Sequence, residues 1–504
     1  MKQLEKLNRY SDFFDTQSLH HDLKKKSLRG GLVTMSGTGL GFVLRLAATA
    51  LLARILVPEH FGLISMVTAL TVIAESFKDF GLSTATIQQK EITHEQVSNL
   101  FWINVLVGLV ITAIISGLSV FIAQFYGDTR LTWITIALST NFLWGGLTVQ
   151  HQAILQRKMK FTSLTMINLG TTVFSIVVAV VLAFKGYGYW ALVWREISRN
   201  CFFAIATWLA CPWVPGLPRR NTNVRSMLKM GGDVTAFNII TFFTDNLDYV
   251  LIGKVFGANP LGLYKQGTQL ATLPIGFLID PVNTVAQTSF RVLRDDTKRY
   301  REYYRKILRS LTFVNMPMML FLFIYGREII LFLLGEKWAG AIVFFKIFAF
   351  ACIIRPAIAT SGVVMITCGK TRQYLFLGLV NSLSIIVGIG VGFFWGVKGI
   401  AIGHVVANYV LFLPAAYIAF RDTPVNVGVF VSSILPSVAC TLVMALALAA
   451  FSALAPIHSN LYAIALGFPI AVASYLMAWM LMPKGRVHLT EMFSDFSSMF
   501  KPSI

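Results

Sequence analysis

Apolar stretches of roughly twenty to thirty residues follow one another along almost the whole chain, parted by short polar turns. They fall at 31–56, 61–84, 98–124, 131–155, 162–184, 188–211, 231–256, 265–290, 308–334, 339–366, 374–396, 399–420, 428–453 and 460–482. Each can cross a hydrocarbon core of roughly 30 Å at about 1.5 Å per residue. Backbone in lipid must satisfy its own hydrogen bonds, so the pattern predicts an all-α polytopic membrane protein with about fourteen spans. The first stretch is too long for a cleavable leader and is expected to remain as the first span.

The apolar pattern is interrupted by charge at depth. The basic run Lys24-Lys25-Lys26 with Arg29 leads into the first stretch, which carries Arg45 near its middle; the second, after the turn Val57-Pro58-Glu59-His60, carries Glu75, Lys78 and Asp79. A charge at mid-membrane costs at least about 2.5–3.5 kcal/mol on insertion scales, so it is paired or faces a wet cavity. Arg195 and Arg199 lie four apart and so share a helical face, while Lys346 and Arg355 occupy the tenth stretch. These five cations are the candidate binders of an anionic cargo, because guanidinium donors match phosphate oxygens. Glu196 lies about 100° round the helix from Arg195, so it is not expected to neutralise both arginines. Glu75, Asp79, Asp245 and Asp248 are the candidate ion-coupling carboxylates, the last two sharing a face at i, i+3; a desolvated carboxylate titrates near neutrality. Ion pairing among these charges is the structural alternative. Arg54 and Lys254, near span ends, are expected to snorkel. Trp144, Trp190 and Trp194 are candidates for stacking on sugar rings.

Composition adds sidedness. The 504 residues are 56% hydrophobic, only 13% charged, and carry a net charge of +20. That excess does not mark a nucleic-acid binder. The amino-terminal segment, the even-numbered connections and the tail hold 29 Lys and Arg, against four in the odd-numbered connections. The positive-inside rule then places both termini in the cytoplasm. The five cysteines lie in or beside apolar stretches without metal-ligand spacing. Residues 291–309 put aromatics at helical spacing among charges, as an amphipathic helix at the cytoplasmic face would. Residues 212–230 are rich in Pro and Arg, as a linker would be. The expected organisation is a cytoplasmic segment 1–30, a six-helix bundle 31–211, a linker 212–230, a second bundle 231–420, two extra spans 421–482 and a cytoplasmic tail 483–504. An internal repeat supports two halves. Leu51-Leu-Ala-Arg54 and Phe61-Gly-Leu63 align, 200 residues on, with Leu251-Ile-Gly-Lys254 and Leu261-Gly-Leu263, so Gly62 matches Gly262. Both halves start from the cytoplasm, as parallel repeats do.

Several segments resemble a known family. LKKKSLRGG (23–31), LLARILVPEHFGLISMV (51–67), DFGLSTATIQQK (79–90), DNLDYVLIGKVFGANPLGLYKQ (245–266), LRDDTKRYREYYRK (293–306) and LLGEKWAGAI (333–342) are similar, in order, to colanic-acid-type Wzx flippases of the multidrug/oligosaccharidyl-lipid/polysaccharide (MOP) exporter superfamily. The resemblance implies a transporter rather than an enzyme, moving undecaprenyl-diphosphate-linked oligosaccharide across the bacterial inner membrane for exopolysaccharide or lipopolysaccharide synthesis. It implies two six-helix bundles around a central lumen, no cofactor beyond a proton or sodium gradient, and as partners the lipid-linked oligosaccharide, membrane lipids and the polymerase and export machinery. An ion-coupled drug or metabolite antiporter of the same superfamily is the alternative. A cationic drug would favour an acidic lumen, whereas five deep cations favour an anion. A polymerase or ligase would need a large external loop, and none is present.

Overall fold

The computed structural model describes residues 23–79, 82–89, 92–219, 246–294, 296–454, 459–483, 485–486 and 488–490. The expected spans have helical counterparts, with 231–245 of the seventh outside the described residues. In order these are α1 Leu23–Ile55, α2 Pro58–Asp79, α3 Leu82–Gln88, α4 His94–Gly117, α5 Ser119–Tyr126, α6 Arg130–Arg157, α7 Phe161–Phe184 and α8 Tyr189–Ala210. A helix over 246–256 (α9) follows. Then come α10 Ala258–Val292, α11 Thr297–Ile324, α12 Gly326–Leu334, α13 Ala341–Ala351, α14 Arg355–Thr367, α15 Thr371–Phe393, α16 Gly396–Phe420, α17 Val427–Leu454 and α18 Asn460–Leu481. Among the described residues eight helices are individually long and apolar enough to cross a membrane, or nine if α13 and α14, bent by 43°, form one span. The polytopic all-α membrane class stands on these. Three helices of the first half, α2, α6 and α8, are not among the eight. Their polar residues are the reason: α2 carries Glu75, α8 carries Arg195, Glu196 and Arg199, and α6 carries Gln150, His151, Gln152 and Gln156.

The chain divides into two compact units between Gly262 and Leu263. In the first, α6 packs on α4 and α8, and α7 on α1 and α8. A Cβ on Gly108 would lie 2.6 Å from the carbonyl oxygen of Phe142, and one on Gly146 2.5 Å from that of Asn104, so only glycine allows the α4–α6 backbones this approach. The repeat glycines behave alike. A Cβ on Gly62 would lie 1.8 Å from the Ala258 carbonyl oxygen, and one on Gly262 1.9 Å from that of Pro58. Residues 58 and 258 are themselves repeat mates, so the contact is reciprocal, and it falls inside the first unit.

The expected linker begins as a strap fastened to α4. Trp213 is 1% exposed, and its Nε1 donates to Nδ1 of His94 at 3.0 Å. Trp102 Nε1 donates to the Gly216 carbonyl at 2.8 Å, and the Gly216 N–H donates to Ser98 Oγ at 2.9 Å. Asn99 holds both backbone groups of Arg219, whose guanidinium pairs with Glu95. Residues 220–230 of that linker lie outside the described residues.

In the second unit the charged segment after α10 does not lie apart on the membrane surface. It is the start of α11, capped by the Asp296 side chain, which accepts from the Arg299 N–H at 3.1 Å. Tyr300, Tyr304 and Leu308 are fully buried, and Tyr300 stacks on Phe290 at 4.7 Å. The amphipathic pattern is real, but its apolar face packs against protein rather than lipid. Between α13 and α14 the helix is interrupted, and Asn315 Nδ2 donates to the carbonyls of Cys352 and Ile353 at 3.0 and 3.1 Å. A break at membrane depth leaves carbonyls that need such a donor.

At the α5–α6 turn, Arg130 binds Asp128 (Nη2–Oδ2 2.7 Å) and Glu59 (Nη2–Oε1 2.6 Å), tying this turn to the start of α2. The hydrogen bond from Arg130 holds the Asp128 carboxyl below the usual carboxylate range. Its folded value is depressed, so the stabilisation is present above the unfolded value and lost as pH falls through the folded one. The Arg130 side chain is 40% exposed, which limits the pair to roughly 0.5–1 kcal/mol. Asp128→Asn should therefore lower thermal stability slightly at neutral pH and match the unaltered protein once pH is below the carboxylate range. Melting curves in detergent at the two pH values check this, and a constant difference at both would remove the pair as its cause.

Candidate functional site

The three polar helices of the first unit meet around a cavity of about 410 Å³. α6 lines it with Trp144, Thr148, Gln152 and Gln156, a stripe at four-residue spacing on one face. α2 supplies Glu75 and α3 supplies Ser83; α7 supplies Asn168, and α8 supplies Arg199, Asn200 and Phe203. Gln152 and Gln156 make no hydrogen bond among the described residues. Asn168 Nδ2 donates to the Leu164 carbonyl and Asn200 Nδ2 to the Glu196 carbonyl, each at 3.1 Å. Among the described residues the cavity lining thus has one cation, one carboxylate and four amides.

The opposite face of α6 builds the support. His151 is fully buried, stacks on Trp208 at 4.3 Å, and its Nε2 lies 3.1 Å from the Trp213 carbonyl oxygen. Gln150 links Thr86 of α3 (Thr86 Oγ1 to Gln150 Oε1, 2.8 Å) to Asn104 of α4 (Gln150 Nε2 to Asn104 Oδ1, 3.4 Å). Arg157, 9% exposed, donates from Nη1 to the carbonyls of Thr86 at 2.9 Å and Gln89 at 2.5 Å, closing the last turn of α3. By sequence Arg157 counts among the basic residues of a cytoplasmic connection; the structure turns it inward. Just beyond it, burial pushes the Lys158 amine down to about 8.

Of the candidate cations, Arg199 lines this cavity together with Glu75, a candidate coupling carboxylate. Arg195 does not share its direction: Arg195 Nη2 donates to Glu196 Oε1 at 2.6 Å. Neighbouring long side chains reach across the 100° that separates them, so Glu196 hydrogen-bonds Arg195, while Arg199, near enough to Glu196 to feel its charge, lines the cavity. Arg45 is exposed, with Nε donating to its own helix at the Gly41 carbonyl, 3.1 Å. In the second unit Lys346 lies in α13 beside Gly326, and Arg355 is exposed at the first residue of α14, just after the break. Asp248 is 2% exposed and its Oδ1 accepts from the Tyr249 N–H at 2.8 Å. Asp245 and the Asp79 side chain lie outside the described residues. Lys254, exposed near a span end, donates to the Phe125 carbonyl, and its Nζ sits 4.9 Å from the centroid of the Phe125 ring.

Comparison with known proteins follows the same lines. A family profile described as "Polysaccharide biosynthesis protein" matches residues 51–343. The lipopolysaccharide biosynthesis protein WzxC of Escherichia coli (strain K12) is 26% identical over 326 residues, 64% of this chain. That match spans 65% of the relative, just under two thirds of its length. The teichuronic acid biosynthesis protein TuaB of Bacillus subtilis (strain 168) is 24% identical over 351 residues, 69% of this chain and 72% of that protein. Among solved structures, the lipid II flippase MurJ in an inward closed conformation superposes with a TM-score of 0.72 at 14% identity, over 89% of this chain and 98% of that one. An inward-facing multidrug resistance MATE family transporter of the MOP superfamily gives 0.53 at 14% identity, over 76% and 94%. The fold is that of the MOP-superfamily transporters.

Proposed function

Since the chain belongs to the polysaccharide biosynthesis protein family, we propose that it is a flippase for an undecaprenyl-diphosphate-linked oligosaccharide. It carries this repeat unit, or a related precursor, from the inner to the outer leaflet of a bacterial cytoplasmic membrane during exopolysaccharide or lipopolysaccharide synthesis. One observation carries the reading: three helices too polar for ordinary spans enclose a polar cavity of about 410 Å³ within a membrane protein. Polar side chains at that depth cost insertion energy, and a polar cargo offsets part of it. Among the described residues one lining carboxylate is matched by one arginine, which suits a hydroxyl-rich cargo better than a cationic drug. In this reading fourteen helices form two six-helix bundles around a lumen plus two carboxy-terminal helices, with both termini cytoplasmic. Arg45, Arg195, Arg199, Lys346 and Arg355 are the proposed anion contacts. Glu75, Asp79, Asp245 and Asp248 are the proposed coupling carboxylates, for a proton or sodium gradient. Polymerase and export proteins would take the cargo from the outer leaflet.

The test is reconstitution. Proteoliposomes holding the purified protein and lipid-linked oligosaccharide from a producing strain should translocate the lipid many times faster than protein-free vesicles. Arg199→Ala and Arg355→Ala should slow this, with partial recovery in the Lys variants. Extrusion of a cationic dye with no movement of the glycolipid would replace this reading with the antiporter.

A further inference from the structure

We propose that the cavity of the first unit seats sugar residues of the cargo's glycan, not its diphosphate. This rests on the flippase reading and assigns a chemical class to one site within it.

A diphosphate offers only acceptors and carries a net negative charge, so its seat needs an excess of cations. Among the described lining residues one cation, Arg199, stands against one carboxylate, Glu75, so they supply no excess of positive charge. A sugar hydroxyl both donates and accepts, and so asks for both kinds of partner within reach. The amides supply them. Gln152 and Gln156 present N–H donors and carbonyl acceptors one turn apart on α6, while Asn168 and Asn200 face them from α7 and α8. Trp144 stands one turn beyond Thr148 on the same stripe and offers a flat apolar surface to the C–H face of a pyranose. A volume of about 410 Å³ lies within the usual range for small-molecule pockets, roughly 300–1,000 Å³. The cavity is therefore built for a few sugar units: of the five proposed anion contacts Arg199 would serve the glycan, acidic sugars included, and the diphosphate would find its cations among the other four.

The experiment compares two probes on the full chain in nanodiscs: lipid-linked oligosaccharide from a producing strain, and bare undecaprenyl diphosphate. Gln152→Leu and Gln156→Leu keep side-chain size and remove hydrogen bonding; Trp144→Phe keeps an aromatic ring and reports on stacking if a Leu variant does not fold. The variants should bind the oligosaccharide-bearing lipid at least tenfold more weakly while their affinity for bare undecaprenyl diphosphate stays within twofold. Equal weakening of both probes, or no weakening of the glycan-bearing one, overturns the proposal. Failure of the unaltered protein to bind or move the glycan-bearing lipid would instead overturn the flippase reading.

Discussion

Arg157→Ala is expected to destabilise the first unit by about 3 kcal/mol, the upper end for a hydrogen bond to a charged group. The last carbonyls of a helix have no partner within it. For α3 the donor is the Arg157 guanidinium, 9% exposed, which reaches Thr86 and Gln89 from the last residue of α6. Alanine removes the donor without letting water replace it, so buried carbonyls stay unpaired. Arg157→Lys keeps a charge but not the fork, and should recover less than half of the loss. Because α3 carries Ser83 into the cavity wall, cargo binding should weaken along with stability. Hydrogen exchange would localise the effect: amides of 82–88 should exchange faster, while those of α7 change little. Unchanged stability in the Ala variant, or a uniform rise in exchange, would show that α3 does not depend on this contact.

Arg157 also marks where the sequence stops being informative. Hydrophobic runs announce membrane helices one by one, since lipid leaves the backbone no alternative, and the expected spans accordingly have helices. Charge at depth is equally visible, so Arg199 and Glu75 stand out from the residues alone. What they share does not, because one cavity joins residues 124 positions apart. Amides such as Gln152 and Gln156 carry too small an insertion cost to stand out. Glu196 hydrogen-bonds Arg195 and not Arg199, in keeping with the expectation that it would not neutralise both; which arginine it takes is not legible in the spacing, because side chains of three or four bonds swing across the angle between Cβ directions. A basic residue at a helix end reads as a sidedness signal whether it faces lipid headgroups or, like Arg157, turns inward. Residues 212–219 read as linker by composition, yet Trp213, Gly216 and Arg219 each have a partner on α4.

Gly62→Ala and Gly262→Ala should each cost about 3 kcal/mol, and the double variant should cost less than their sum by about 1–2 kcal/mol. The added Cβ atoms would stand 1.8 and 1.9 Å from carbonyl oxygens of Ala258 and Pro58, and a backbone atom in a helix cannot swing aside as a side-chain end can. The helices must move apart, losing dispersion contacts along their crossing. Once one methyl group has forced that separation, the other enters space already opened, hence the shortfall. The repeat gives this its symmetry: 62 and 262 are mates, as are 58 and 258, so the two single variants should be nearly equal in effect. Gly170→Ala in α7 is the control. Nothing lies within 4 Å of the place its methyl group would take, and alanine is favoured over glycine inside a helix by about 0.8–1 kcal/mol, so it should be neutral or stabilising. Unfolding of the four variants in detergent, set out as a double-mutant cycle, decides the matter. Simple additivity, or a large difference between the two singles, would mean that the glycines act at separate contacts and that the repeat does not meet itself at this crossing.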